Sequence, residues 1–120
     1  MKIWTNGQEK SSQDWAELAS WLAHIELTAA FPLRLEVDRT SLEVRGLSHR
    51  LGVWWSQDGQ QAIIGLAKRK ESPTHIQQGN EQYPLQENEL MQWEDALLLM
   101  ECLAKGRPFP DAYHLRLLQP

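Results

Sequence analysis

Cysteine is nearly missing from the chain, which holds one, Cys102, in 120 residues. No internal disulfide can form and no cysteine set for zinc exists, a usage that fits a reducing compartment and a thiol buried for packing. Long apolar runs are missing too, so no membrane span is expected. The opening Met-Lys-Ile-Trp-Thr-Asn-Gly also has no stretch of the kind a signal peptide needs, and cytoplasmic residence is the expectation that follows. Positive charge is in short supply. With 12 Lys and Arg against 16 Asp and Glu, a formal net charge of −4 disfavours a phosphate backbone as partner.

Patterns that carry chemistry are equally scarce. The four histidines, at 24, 49, 75 and 114, show neither i, i+4 spacing nor a His-Glu-x-x-His run, so no metal site is expected. No serine lies in Gly-x-Ser-x-Gly, Cys102 has no glycine-rich elbow, and the seven glycines are too scattered to cradle phosphate. Glu87, Glu89, Glu94, Asp95 and Glu101 read as a solvated helix face. The expectation is a protein without enzymatic activity and without cofactors. The remaining enzymatic reading is a site assembled from distant residues around His75.

Tryptophan, by contrast, is abundant: six, at 4, 15, 21, 54, 55 and 93, against two tyrosines and two phenylalanines. It serves cores and interface anchors alike. With 42% apolar and 23% charged residues the chain has a globular composition, and residues 1–120 fit one domain.

Periodicity then orders the chain. Ser11 and Ser12 are candidate caps for a helix to about Ala30, stopped by Pro32, with Trp15, Leu18, Ala19, Leu22, Ile25 and Ala29 on one arc. Leu33, Leu35 and Val37, then Leu42 and Val44, alternate with Arg34, Glu36, Glu43 and Arg45, which predicts two half-buried strands with a solvated charged face. Asp58-Gly59 is a two-residue hairpin signal of the primed type. Counting outward from it pairs Trp55 with Ala62, Val53 with Ile64 and Leu51 with Leu66 on the core face. Ser56 with Gln61, Trp54 with Ile63, and Gly52 with Gly65 fall on the reverse face.

Residues 68–86 read as a long polar loop opening on the basic run Lys68-Arg69-Lys70. A second helix is predicted from about Glu87 to Lys105, ended by Gly106. Its main stripe is Leu90, Trp93, Ala96, Leu97, Met100, Leu103 and Ala104, and a second, narrower stripe is Met91, Leu98 and Cys102. In the tail Tyr113, Leu115 and Leu117 alternate while Leu118 fits strand or helix, so both stay open. The expected fold is α+β: a four-stranded antiparallel meander with two amphipathic helices on one face, order α-β-β-β-β-α plus a short C-terminal element.

Surplus apolar surface then points to a protein-interaction module, an adaptor, chaperone-like binder or inhibitor of the sort a bacterium, phage or mobile element carries. Its partner is another protein or a second copy. Trp54 and Ile63 form one candidate surface, beside Gly52 and Gly65, which leave room for close approach. The stripe of Met91, Leu98 and Cys102 forms the other, with Glu94 and Glu101 favouring a basic partner. Against this stands cover of Trp54 by the chain's own termini. If Trp54 is an anchor, Trp54→Ala spares stability whereas Trp55→Ala costs roughly 3 to 5 kcal/mol. A single-stranded nucleic-acid module, with Arg34, Arg45, Arg50 and Lys68 around Trp54, is the disfavoured alternative.

Overall fold

Alternating segments become strands, and so do two further hairpins, near the N-terminus and within 73–86, whose sequences are weakly apolar. In the computed structural model, residues 1–5, 7–24, 31–47, 49–67 and 69–118 are described. Strands β1 (Lys2–Thr5) and β2 (Gln8–Ser11) precede helix α1 (Trp15–Ala23). Strands β3 (Leu33–Val37), β4 (Thr40–Leu47), β5 (Arg50–Gln57), β6 (Gln60–Leu66), β7 (Pro73–Gln78) and β8 (Glu81–Gln86) follow. A 3-10 turn (Glu87–Glu89), helix α2 (Trp93–Ala104) and strand β9 (Tyr113–Leu117) complete the order.

The architecture is α+β with an antiparallel sheet and two helices, but the main sheet has seven strands, β2-β1-β3-β4-β5-β6-β9, where four were expected. The N-terminal hairpin adds two strands at one end and the tail adds one at the other. The tail is therefore strand, not helix.

The hairpin read from Asp58-Gly59 forms with both turn residues at positive φ, 49 for Asp58 and 85 for Gly59. Its ladder pairs Gln57 with Gln60, Ser56 with Gln61, Trp55 with Ala62 and Trp54 with Ile63, as the sequence count required. The ladder ends there, without the expected Val53–Ile64, Gly52–Gly65 and Leu51–Leu66 pairs. Leu51 turns its N–H and C=O toward the β6 side, and both are taken by Met91, at 3.0 and 2.8 Å. Leu66 pairs instead with Tyr113, and Gly65 with His114.

One face of the sheet buries Ile3, Leu33, Leu35, Leu42, Val44, Val53 and Ile64 against Trp15, Leu18 and Leu22 of α1 and Ala96, Leu99 and Met100 of α2. Trp55 packs at the margin of this core. Helix α1 is capped by Asp14, whose carboxylate accepts from the Ala16 N–H at 3.0 Å, not by Ser11, which β2 pairs with Lys2. Ile25 and Ala29 of its expected stripe lie outside the described residues.

Helix α2 starts at Trp93, later than expected. Gln92 and Asp95 close its first turn with a capping box, and Met91, held as a strand bridge to Leu51, cannot belong to a helical stripe.

The reverse face carries a second core. Residues 68–86, expected as a loop, fold into the β7–β8 hairpin, with Ile76 opposite Tyr83 and Thr74 opposite Leu85; Lys68 lies outside the described residues. Every second residue, Thr74, Ile76 and Gln78, then Tyr83 and Leu85, is at least half-buried, while Pro73, His75, Gln77 and Pro84 are exposed. Ile63, Ile76 and Leu85 are buried together, with Trp54, Tyr83, Leu90 and Leu118 against them. The hairpin thus covers the Trp54–Ile63 end of the reverse face, while the side chains of Arg34 and Glu36 on β3 keep much of their surface in solvent, as the charged alternation there predicts.

Candidate interaction edge

The two ends of the sheet differ in what they leave open. At one end β2 offers only Gln8, Glu9, Lys10 and Ser11, and Lys10 is tied to Glu17 of α1 at 3.3 Å. Such a short, charged strand is a poor template for another chain. At the other end lies β9, whose Leu115 and Leu117 are 38% and 58% exposed.

Local sequence sets the direction of every β9 group. The Pro110 carbonyl accepts the Tyr113 N–H at 3.0 Å and turns the chain onto β6, where Leu66, Ile64 and Ala62 face Tyr113, Leu115 and Leu117. Flanking bonds run from Ala67 N–H to Ala112 O and from Leu118 N–H to Gln61 O, both 2.8 Å. In an antiparallel ladder bonded pairs recur at every second residue, so His114 and Arg116 bond to β6. The N–H and C=O groups of Leu115 and Leu117 therefore point away from the sheet, as does the Tyr113 C=O.

Side chains hold this strand from both faces. On the reverse face Arg116 grips fully buried Glu89 with Nε at 2.8 Å and Nη2 at 3.0 Å, and the Gln86 N–H donates to the same carboxylate at 2.7 Å. That hydrogen bonding from Arg116 to Glu89 raises the guanidinium's pKa further. On the helix face the Tyr113 hydroxyl donates to Asp95 Oδ1 at 2.5 Å. Burial first, then this hydrogen bond to a carboxylate, pushes the Tyr113 phenol well above its ordinary range. Leu98, one turn beyond Asp95 on α2, is 40% exposed.

A phenol held protonated by the fold contributes stability that is present below its unfolded value of about 10 and is lost as pH rises beyond it. Tyr113→Phe is expected to cost about 1 kcal/mol at neutral pH, the net worth of one hydrogen bond. Above pH of about 10 the variant should lose stability less steeply than the parent. Urea unfolding at pH 7 and above 10 measures both, and parallel pH profiles would refute the role given to the hydroxyl.

The residues nominated from sequence are dispersed. Ile63 and Met91 are buried in the two cores, Trp54 is half-buried, and Glu101 is paired with Lys105 at 2.9 Å. The Lys105 hydrogen bond and charge hold the Glu101 carboxyl below its usual range, so its negative charge is already compensated. Glu94 is exposed on the first turn of α2, and Cys102 is buried. Only Leu98 and Glu94 stand out to solvent.

The glycines noted for close approach do allow it, but to the chain itself. A Cβ on Gly52 would lie 2.8 Å from the Trp54 ring, and one on Gly65 2.9 Å from the Asn88 amide. Trp54 is covered by Tyr83, edge-on at 5.7 Å, and by Arg45, whose guanidinium lies 4.9 Å from the Trp54 ring and 4.2 Å from that of Tyr83. Of the described terminal residues, Leu118 packs against the same cluster as Trp54.

Beside Trp54 a depression lined by Arg34, Glu43, Arg45, Ser56 and Gln61 remains open. Its charges cancel locally, since Arg45 pairs with Glu43, and Arg34 with Glu36 at 3.3 Å. His75 stands exposed on the outer side of β7. Among the described residues no three His, Cys, Asp or Glu side chains are grouped to hold a metal ion, and no helix is long and apolar enough to cross a membrane.

Leu115 and Leu117 were not nominated from sequence. Their alternation is visible in the sequence, but it reads equally as a tail packed back on the Met91, Leu98 and Cys102 stripe or on Trp54. Comparison with known proteins gives no match to any family and none to any curated protein.

Proposed function

We propose that this chain is a protein-interaction module that binds by strand addition at β9, with Leu98, Leu115 and Leu117 as the apolar contacts. The observation that carries the reading is the unequal pair of sheet edges: β2 short and charged, β9 with outward backbone groups and exposed leucines. An added strand draws affinity from main-chain hydrogen bonds and selectivity from alternate side chains. Because Glu89 and Asp95 hold β9 from opposite faces, its edge is ordered before a partner arrives, which lowers the entropic cost of binding.

Single-stranded nucleic acid on the reverse face has less support. The Trp54 ring is already flanked by Tyr83 and Arg45, and the arginines beside it are paired with carboxylates.

Leu117→Pro tests the reading, since the Leu117 N–H takes no part in the ladder to β6 and its loss leaves the sheet bonded. Proteins captured from the host by the parent chain should be lost with the variant while its melting temperature holds. Capture of the same set by both chains would remove β9 as the contact edge.

A further inference from the structure

We infer that β9 pairs with β9 of a second copy of this chain, antiparallel about a two-fold axis at Leu115, so that the two sheets continue into one. This rests on β9 being the contact edge and names what occupies it. The outward groups of β9 are the N–H and C=O of Leu115 and Leu117 and the C=O of Tyr113, whose own N–H is spent on Pro110. That inventory is self-complementary in two registers, with the axis at Leu115 or at Arg116, and the side chains choose between them. With the axis at Leu115, this residue exchanges both its bonds with Leu115 of the second copy. The Leu117 N–H then meets the Tyr113 carbonyl of the second copy, so four bonds form across the axis although the Tyr113 N–H is spent within its own chain.

Side chains favour the same register. On the helix face Leu115 lies opposite Leu115, and Leu117 opposite Tyr113, which continues the apolar row of Ala62 and Ile64 across the junction. On the reverse face His114 lies opposite Arg116. Moving the axis by one residue, to Arg116, keeps four bonds but sets two guanidinium groups directly against each other. The apolar contact is small, three partly exposed leucines per copy, well short of the roughly 1,200 Å² of a standard interface. The dimer is therefore weak, forming as concentration rises.

The register supplies a sharp test. Cα atoms of a bonded antiparallel pair are about 5.5 Å apart, within disulfide reach, whereas two Leu117 residues would be separated by four strand residues, roughly 13 Å. Under a mild oxidant Leu115→Cys should cross-link into dimers and Leu117→Cys should not, with the parent chain as control for buried Cys102. Sedimentation of the parent over a concentration series should show monomer giving way to dimer, and amide exchange at Leu115 and Leu117 should slow at least several-fold over that range. Leu115→Lys, which sets two ammonium groups face to face, should move the transition to at least tenfold higher concentration.

A parent chain that stays monomeric with unchanged amide exchange overturns the self-pairing, as does cross-linking of Leu117→Cys as readily as Leu115→Cys. If that chain still captures host proteins that Leu117→Pro loses, self-pairing falls alone. If Leu117→Pro loses nothing, the contact edge itself falls.

Discussion

Gly46→Ala is expected to destabilise the fold by about 3 to 5 kcal/mol, the sum of backbone strain and overpacking at one site. Gly46 sits at φ +116, a conformation that side chains rarely adopt, and a Cβ there would run into the Arg50 carbonyl oxygen across the β4–β5 pair. The obstacle is backbone, so no rotamer change relieves it. Its N–H also donates to Gln78 Oε1 at 3.0 Å, and Ile76 Cδ1 would lie 3.4 Å from the new methyl. The substitution therefore pushes the β7–β8 hairpin as well as its own strand. Gly79→Ala is the matched control: φ is +61, but nothing lies within 4 Å, and about 1 kcal/mol should be lost. Urea unfolding of both variants decides the matter; equal, small losses would show that the Arg50 contact yields.

The second large effect concerns the adjacent tryptophans. Trp54→Ala should cost about 2 to 4 kcal/mol, somewhat under the range for a wholly buried aromatic because the ring is half-exposed. Trp55, equally half-buried at the margin of the first core, should lose a comparable amount. This reverses the contrast expected from sequence, in which only Trp55 was structural. The loss at Trp54 should be felt first in the hairpin above it, since Tyr83 and Arg45 would stand over a void. Amide exchange at Ile76 and Tyr83 should accelerate before exchange at Val44 does. A Trp54→Ala chain within about 0.5 kcal/mol of the parent, the range of ordinary surface changes, would return Trp54 to the role of exposed anchor.

The middle of the sheet was legible because two local signals agreed there. Strict alternation from Leu33 to Val44 named a face, and Asp58-Gly59 fixed a register that places Trp54 beside Ile63. The outer strands carried turn signals of the same kind without apolar support. Asn6-Gly7 lies between Thr5 and Gln8, which pair across the first hairpin, and Gly79-Asn80 lies between Gln78 and Glu81. In β7 and β8 only Ile76, Tyr83 and Leu85 face the sheet as large apolar or aromatic groups, too few to outweigh glutamine in a periodicity count.

The proposed contact edge was illegible for a different reason. Leu115 and Leu117 resemble core residues in sequence, and their exposure follows from the place of β9 as the last strand of the sheet. A bridge between Leu51 and Met91 delays the helix to Trp93, and no local pattern announces a bridge between residues so far apart. The same bridge removes Met91 from any surface.

The charged strand at the far end of the sheet limits what association can build. A sheet able to accept strands at both ends would add copies without stopping and grow into a fibre. Here Glu9 and Lys10 occupy the far edge, and the Lys10–Glu17 ion pair fastens it to α1. The pairing proposed at β9 uses the more inviting of the two described ends of the main sheet and leaves the charged one, so growth along that sheet ends at two copies.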